Sequence, residues 1–528
     1  MADYDYIVVG GGSAGCVLAS RLSQNDKSTV LLIESGRHDN SPWIHIPATF
    51  FRVNRGGRDV VVHSGEPQNE LSGRPYMIPQ GHVIGGGSSI NAMIYIRGQS
   101  EDYDNWAQMG CRGWSYSDVL PVYRDLEDNR SFDDTYHGAD GELTVSSPSH
   151  RHPLCETFLL AAQEAGLSLN PDFNGAYQEG VGFFQTTTRD GRRCSSAKAF
   201  LRPALGRKNL TVLTETRVDK VVIQDGHARG VVLENGRTIS ASAEIVLTAG
   251  ALASPMILMR SGVGPGTHLR DVGVEVTVDL PGVGENFQDH VAVPIEARLK
   301  DPVSVYGHDK GLRAALHMCN YLATRRGLLS SNIIECGGFV DTLGAGRPDI
   351  QFHFMPAFSL GSDGTREPGH GLSFSACVLR PQSVGSVRLR SSDPQDPILL
   401  ESNVLTAHAD VLAMIRGLQL GLKILDTQAM RSVIKERLSP ALGQESDAEL
   451  EKHIAAHAKT VFHPVGTCRM GGVDDKRAVV DPELQVRGVG GLRVADASVM
   501  PNIVSGNTNA PTIMIAERAA RFIQASAS

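Results

Sequence analysis

The sequence has few of the features that would place a protein outside the ordinary globular class. Only eight of its 528 residues are cysteine, and no two of them form a Cys-x-x-Cys pair. The low count and the scattered spacing exclude a disulfide scaffold and a cysteine-based zinc site, and we expect no metal centre. Reduced, mostly buried thiols are the prediction, and they favour a reducing compartment such as the cytoplasm.

Long apolar segments are also missing. No run of about 18 apolar residues occurs, so the sequence predicts no transmembrane helix. A strand is expected as early as Tyr4–Val9, with no basic start, apolar stretch and cleavage site before it, and we therefore expect no targeting segment. Peripheral contact with the inner face of a membrane stays open at this point.

Basic clusters are the third absence. The formal net charge is −8, from 50 Lys and Arg residues against 58 Asp and Glu residues. A nucleic-acid-binding protein needs basic clusters that neutralise phosphates, and pairs such as Arg192-Arg193 and Arg325-Arg326 are too short for this. We interpret both pairs as solvated surface charge and expect no nucleic-acid partner.

A glycine-rich loop near the start is the most informative motif that is present. Gly10-x-Gly12-x-x-Gly15 lies between an apolar strand pattern and a helical one, and a second apolar run ends at Glu34. Gly10 permits the tight turn, Gly12 a close approach of the backbone to a pyrophosphate, and Gly15 close packing of helix on strand. Glu34 is placed to accept hydrogen bonds from ribose hydroxyls and to repel a 2′-phosphate, which argues against NADP. This unit alone fits FAD and NAD equally.

Further glycine-, proline- and histidine-rich segments follow along the chain. They resemble, in order, signatures of the glucose–methanol–choline (GMC) oxidoreductase family, and within it bacterial choline dehydrogenase-like and aliphatic alcohol dehydrogenases. The segments are residues 81–91, 250–264, 280–290, 463–468, 496–498 and 507–512. Two positions depart from the family pattern: His82, where the signature usually has another polar residue, and Ile90, where some relatives carry a histidine bonded covalently to the flavin.

The resemblance implies a fold class and a domain organisation. We expect an α/β protein in which a Rossmann-like FAD-binding domain is interleaved with an α+β substrate domain of antiparallel sheet plus helices. The predicted FAD-binding domain is residues 1–42, 75–150, 200–295 and 455–528. The predicted substrate-binding domain and cap are residues 43–74, 151–199 and 296–454. Because isoleucine has no nucleophile, the FAD at Ile90 should be non-covalent.

The resemblance also implies the cofactor site. Asn91 is expected to hold the flavin ring or its loop, Asp496 the ribityl or phosphate region, and Val218 the adenine through its backbone. The complete set of predicted cofactor-binding residues is Gly10, Gly12, Ser13, Ala14, Gly15, Glu34, Gly86, Ser89, Asn91, Ala92, Met93, Val218, Asp496, Asn507 and Thr508.

Alcohol oxidation is the chemistry that the resemblance implies. His463, in the His-Pro-Val-Gly-Thr-Cys segment, is predicted to take the hydroxyl proton while the carbinol hydrogen leaves as hydride for flavin N5. Histidine suits this role because its usual pKa of about 6.5 is near working pH. Asn509 is predicted to pair with it and to donate to the substrate oxygen. Phe462, His353 and Glu335 are predicted substrate contacts.

Several alternatives remain open on sequence. The electrons are expected to pass to a quinone or another acceptor, and the closest rival is an oxidase that uses O₂ and forms H₂O₂. Hydroxynitrile lyases and light-driven decarboxylases share the fold, and a non-catalytic FAD-binding protein is the fourth reading. The sequence does not identify the alcohol, and it is compatible with a monomer or a homodimer.

Overall fold

The buried apolar strand Tyr4–Val9 starts the first of two large sheets. In the computed structural model, which describes residues 3–54, 57–360 and 365–526, this strand pairs in parallel with Val30–Ile33 on one side and with Thr238–Leu247 on the other. The helix Ser13–Leu22 joins the first two strands and buries most of its residues. The strand–helix–strand prediction is confirmed. The helical pattern of the sequence could extend to Gln24, but the helix ends at Leu22.

The first sheet has seven strands and is parallel at one side and antiparallel at the other. Its central strand, Thr238–Leu247, pairs in parallel with Leu492–Val494 and in antiparallel with His227–Leu233. The strands, in chain order, are Tyr4–Val9, Val30–Ile33, Leu210–Leu213, Val218–Gln224, His227–Leu233, Thr238–Leu247 and Leu492–Val494.

The apolar pattern of residues 210–222 predicts a single strand, and this prediction is wrong. The structure divides the segment into Leu210–Leu213 and Val218–Gln224, which lie at opposite edges of the sheet. Glu215 has a left-handed backbone, with φ of 51°, which ends the first strand. The backbone of residues 215–216 then bonds to Gly36 and Glu34, and the chain crosses over to the far edge.

The second sheet also has seven strands, and all its pairings are antiparallel. The long helix His408–Leu425 packs against it, and a Cβ added at Gly421 would lie 2.3 Å from Ile295 Cδ1, so glycine permits the close contact. The strands are Gly180–Phe183, Val291–Leu299, Cys336–Val340, Ile350–Met355, Gly371–Val378, Ile434–Ser439 and Lys459–Thr460.

These two sheets, with the helices around them, confirm the predicted fold class. The predicted domain boundaries stay a prediction, and the strand Val291–Leu299 crosses the boundary expected at residue 295.

The remaining strands form two-stranded sheets: Val60–Pro67 with Pro75–Gly81, Glu127–Asn129 with Leu143–Val145, Thr188–Arg189 with Arg192–Arg193, Val263–Gly264 with Val278–Asp279, and Ser386–Arg388 with Leu399–Glu401.

The described residues form nine helices of nine or more residues. They are Ser13–Leu22, Ser100–Gln108, Tyr116–Leu126, Pro153–Glu164, Gly250–Arg260, Gly311–Thr324, His408–Leu425, Asp447–His457 and Asn509–Ser526. The shorter helices are Pro42–His45, Phe50–Val53, Gly87–Ile90, Arg202–Ala204, Gly266–Asp271 and Gln428–Val433. Among the described residues, no helix combines the length and the apolar character needed to cross a membrane.

Candidate active site

The backbone of His463 is fixed by a buried carboxylate. Its N–H donates to Asp289 Oδ1 at 2.8 Å, while Tyr76 and Thr460 donate their hydroxyls to Oδ2 of the same residue. Burial raises the pKa of Asp289 to about 6, against the lowering effect of these three donors. Phe462, just before His463, has a left-handed backbone with φ of 70°. The turn at Phe462 and the bond to Asp289 together set the position of the imidazole.

The protonation of the His463 ring follows from its neighbours. Nε2 of His290 lies 3.0 Å from the carbonyl oxygen of Leu379, which only accepts, so this nitrogen carries the hydrogen. Burial lowers the pKa of His290 to about 4, so the ring is neutral and its Nδ1 is an acceptor. Nδ1 of His463, 2.9 Å away, must therefore be the donor. In a neutral His463 this leaves Nε2 with a free lone pair.

His463 is also held in its neutral form. Burial, followed by the neighbouring rings of His290 and His353, lowers the pKa of His463 well below its usual value. Since a base must be unprotonated before it can accept a proton, the environment keeps His463 ready at neutral pH. His290 and Asp289 were not predicted as parts of the site, although both end the 280–290 segment.

Asn507 is the asparagine that meets this lone pair. Its Nδ2 lies 3.2 Å from Nε2 of His463. Gln351, on the strand Ile350–Met355, donates from Nε2 to the amide oxygen of Asn507 at 3.3 Å, which turns the amide N–H groups towards His463. Gln351 was missed because an isolated glutamine in a strand carries no distinguishing signal.

The prediction that Asn509 pairs with His463 is wrong. Its Nδ2 donates to Ser13 Oγ at 2.9 Å, in the glycine-rich loop. Asn509 is the first residue of the helix Asn509–Ser526, and this helix packs along Ser13–Leu22. The two asparagines are two residues apart, and the start of the helix between them sends their side chains to different places. Asn507, predicted as a cofactor contact, takes the place expected for Asn509.

The three predicted substrate contacts have different surroundings. Phe462 is 52% exposed beside the base, and Nδ1 of His353 is shielded from solvent with no hydrogen-bond partner among the described residues. Both stay predictions. The structure contradicts the prediction for Glu335: its buried carboxylate accepts hydrogen bonds from His150, Ser331 and the backbone of His152, so it is fully used within the protein.

Two glycine loops form a cradle beside the His463–Asn507 pair. A Cβ added at Gly86 would lie 2.8 Å from Gly12 Cα, so the two backbones touch. A Cβ on Gly12 itself would meet nothing nearer than 3.9 Å, which leaves open space in front of the loop. The helix Ser13–Leu22 begins here with no side-chain cap and no acidic residue in its first turn. Free N–H groups at such a helix start suit a pyrophosphate.

A cavity of about 110 Å³ continues from this cradle. Its lining includes Gly10, Ser35, Thr216, Val218 and Leu252, a mixture of apolar and polar residues that suits the flat base and the ribose of an adenosine. Glu34, buried at the end of its strand, accepts hydrogen bonds from the N–H groups of Gly11 and Gly36 at 2.7 Å each. The residues of the first sheet therefore fit an adenine dinucleotide, and direct contacts of Glu34 and Val218 with it stay a prediction.

Asn91 is held by an arginine that the sequence interpretation placed at the surface. Arg193 is fully buried and donates from Nη1 to Asn91 Oδ1 at 2.7 Å and to the Ser88 carbonyl at 3.1 Å. Asn91 Oδ1 also accepts from the N–H of Met93, which has a left-handed backbone. Burial lowers the pKa of Arg193 to about 9, and in the described part of the chain its Nη2 has no partner. The surface interpretation of Arg193 is wrong.

The other predicted cofactor residues lie along the same cradle. Asp496 accepts from Gly250 N, Ser254 Oγ and Ser498 N, so its carboxylate holds the start of the helix Gly250–Arg260. Ser89 Oγ donates to the Ile84 carbonyl, and the Ala92 carbonyl accepts from Asn332. Ala14, Gly15 and Thr508 are buried or nearly so at the ends of the two packed helices. Direct contact of these side chains with a cofactor stays a prediction.

Comparison with known proteins gives a consistent result. The family models described as GMC oxidoreductase match residues 4–292 and 381–516. An alcohol dehydrogenase [acceptor] from Pseudomonas putida is 42% identical, covering 98% of this chain and 95% of that protein. The mitochondrial choline dehydrogenase of Homo sapiens is 40% identical, covering 99% and 90%. The crystal structure of pyridoxine 4-oxidase from Mesorbium loti has a TM-score of 0.89 at 32% identity, covering 98% and 99%.

The Arg193 contact predicts a measurable effect on cofactor retention. Arg193→Met removes the charged donor from Asn91 Oδ1, and a hydrogen bond of this kind contributes about 1.5–3 kcal/mol. We expect roughly ten- to hundredfold weaker FAD binding, measured by titration of the apoprotein with FAD. Arg192→Met, at the half-buried neighbour, is the matched control and should bind as wild type. Equal affinities for the two variants would contradict this role.

Proposed function

Because the chain belongs to the GMC oxidoreductase family, we propose that it is an FAD-dependent enzyme that oxidises an alcohol to an aldehyde or ketone. One observation carries the proposal: the free Nε2 lone pair of His463 meets the amide N–H of Asn507 beside a dinucleotide cradle. A substrate hydroxyl that replaces this direct contact would meet an acceptor for its proton at His463 and a donor for its oxygen at Asn507. His463 is proposed as the base.

The chain's own residues fit FAD. The loop at residues 10–15 and the Gly86 backbone would hold the pyrophosphate, Glu34 the ribose hydroxyls, and Asn91 with Met93 the ring side of the cradle. When bound, FAD would supply the two-electron acceptor for the carbinol hydrogen, which leaves as hydride. Ile90 offers no nucleophile, and we propose that FAD is held non-covalently.

The proton and the carbinol hydrogen must leave together, or the oxygen must be stabilised as the proton leaves. Against a usual histidine pKa of about 6.5 and an alcohol as weakly acidic as water at roughly 15.7, the gap is about 9 units, or about 12 kcal/mol. The lowered pKa of His463 widens this gap. His463 alone cannot form free alkoxide, and we propose that the amide of Asn507, oriented by Gln351, stabilises the negative charge that develops on the oxygen.

The surroundings favour an uncharged alcohol. The carboxylate of Asp289 accepts a hydrogen bond from the backbone N–H of His463. It already accepts from three donors in all and is not available to a cationic headgroup. Phe462 adds an exposed aromatic face next to the base.

We propose a dehydrogenase that passes electrons to a quinone or another acceptor, in line with the 42% identity to an alcohol dehydrogenase [acceptor]. We also propose a cytoplasmic location, which suits the eight free cysteines. The lyase alternative has no support among these relatives.

Anaerobic mixing tests the proposed function directly. The purified yellow protein is combined without oxygen with a panel of uncharged alcohols and with choline, and flavin absorbance is followed. We expect an apolar alcohol to bleach the flavin and choline to leave it unchanged. Oxygen consumption compared with dye reduction on the active alcohol then separates dehydrogenase from oxidase. A yellow protein that no alcohol bleaches would refute the proposal.

A matched pair of asparagine variants tests the corrected site. Asn507→Ala removes the donor that faces His463, and loss of one such donor costs about 100- to 1000-fold in kcat. Asn509→Ala removes a bond to Ser13 only, and we expect a loss below about fivefold at saturating FAD. Both are measured as rates of flavin reduction. The reverse order of effects would return the catalytic role to Asn509.

The lowered pKa of His463 predicts the shape of the pH profile. Protonated His463 cannot accept the substrate proton, so kcat/KM should fall as pH decreases through the pKa of this group. Because burial and the two neighbouring histidines lower that pKa, the acidic inflection should lie below pH 6.5. His353→Phe removes one of these neighbours and should move the inflection upward. An inflection above pH 7 in the wild type would contradict the assignment.

A further inference from the structure

The helix Gly311–Thr324 presents an apolar face to solvent. Leu312, Leu316 and Leu322 are 75%, 60% and 59% exposed. At 100° per residue these side chains fall on one side of the helix, together with the exposed residues Ala315, Cys319 and Ala323. The exposed centre of a helix on a globular protein is normally polar, so this arrangement is the inverse of the usual one.

The opposite side of the same helix is firmly attached to the protein. Tyr321 is buried, and its hydroxyl donates to the Gly191 carbonyl at 3.0 Å. His317 lies in hydrogen-bond contact with His308 at 2.8 Å. The opposite face of the helix is therefore attached to the protein through Tyr321 and His317, and this attachment fixes the rotation of the helix so that the leucines point to solvent.

The charge around this face is predominantly positive. Lys310, Arg313, Arg325 and Arg326 lie on the helix or next to its ends in sequence, against one acidic neighbour there, the exposed Asp309, in a chain whose net charge is −8. Arg313 and Arg326 are exposed. A leucine face bordered by basic residues matches a surface that is apolar inside and anionic outside. A second copy of this chain fits less well, because its own basic residues would repel these.

We propose that the helix Gly311–Thr324 docks the protein on an anionic phospholipid surface, lying in the plane of the interface with its leucines among the acyl chains. Amphipathic helices with a basic border bind membranes in this way. Each basic residue near an anionic surface strengthens binding by roughly fivefold. Docking of this kind needs no membrane-spanning helix.

The position of the helix links docking to the site. It packs on the turn Leu328–Ser330, and Leu328 belongs to a cluster with Phe50, Ile333 and Ala92. Asn332, on the same segment, donates to the Ala92 carbonyl at 2.9 Å. Docking would therefore bring the Ala92 side of the cradle near the bilayer, where apolar alcohols and quinones dissolve. This link rests on the proposed function, whereas the lipid binding itself does not.

Sedimentation with vesicles tests the proposal on the full-length, FAD-loaded protein. Vesicles of phosphatidylcholine with 40% phosphatidylglycerol are compared with vesicles of phosphatidylcholine alone. We expect binding to the anionic vesicles that weakens at least tenfold in the variant Leu312→Gln/Leu316→Gln. Leu442→Gln is the matched control, since Leu442 is 77% exposed elsewhere on the surface, and it should bind as wild type. Flavin absorbance checks that each variant is folded.

Two double arginine variants test the electrostatic contribution to membrane binding. Arg313→Gln/Arg326→Gln should weaken binding to anionic vesicles about tenfold or more, whereas Arg229→Gln/Arg237→Gln, at two other exposed arginines, should change it less than twofold. An environment-sensitive fluorophore on Cys319, the exposed thiol among seven buried ones, should shift to shorter wavelength on binding. The proposal is overturned if anionic vesicles do not bind the wild type, if the leucine variant binds unchanged, or if a concentration-dependent dimer is lost in that variant instead.

Discussion

The hydrogen-bond chain from the Leu379 carbonyl through His290 to His463 is the interaction on which the rest of the site depends. It fixes which nitrogen of His463 carries hydrogen and thereby leaves Nε2 free to accept a proton. The second sheet supplies the chain, because Leu379 follows the strand Gly371–Val378 and His290 precedes Val291–Leu299, which pairs with it. An antiparallel register between two strands thus determines the tautomer of a side chain on a distant segment.

The two sheets divide the work of the site. The first sheet and the helix Ser13–Leu22 form a cradle for a dinucleotide, with open space in front of Gly12. The second sheet supplies the groups that handle a proton: His290 and Leu379 at strand ends, and Gln351 behind Asn507. The segment at residues 505–512 joins the halves, since Asn507 meets His463 and Asn509 meets Ser13. A two-residue spacing therefore connects the proposed base to the proposed phosphate site.

The sequence predicted what is encoded locally. The apolar strand, the glycine loop and the acid at Glu34 form one contiguous unit. Resemblance predicted the fold class, which is confirmed, and His463 as the base, which stays a proposal. It could not separate Asn507 from Asn509, because the difference depends on where a helix begins in space. It missed Gln351 and misplaced Arg193, since a polar residue in a strand and one half of an Arg-Arg pair show their burial only after the chain has folded. Glu335 failed for the same reason: its partners at residues 150–152 are about 185 positions away.

The protonation state of His463 tests its proposed role as the base most directly. Nitrogen-15 NMR of protein labelled in histidine, with His463→Gln used to assign the signals, distinguishes the two ring nitrogens at neutral pH. We predict a neutral ring with hydrogen on Nδ1 and none on Nε2, and loss of that tautomer preference in His290→Phe. A protonated ring, or hydrogen on Nε2, would contradict this prediction, because His463 would then have no lone pair to offer a substrate hydroxyl.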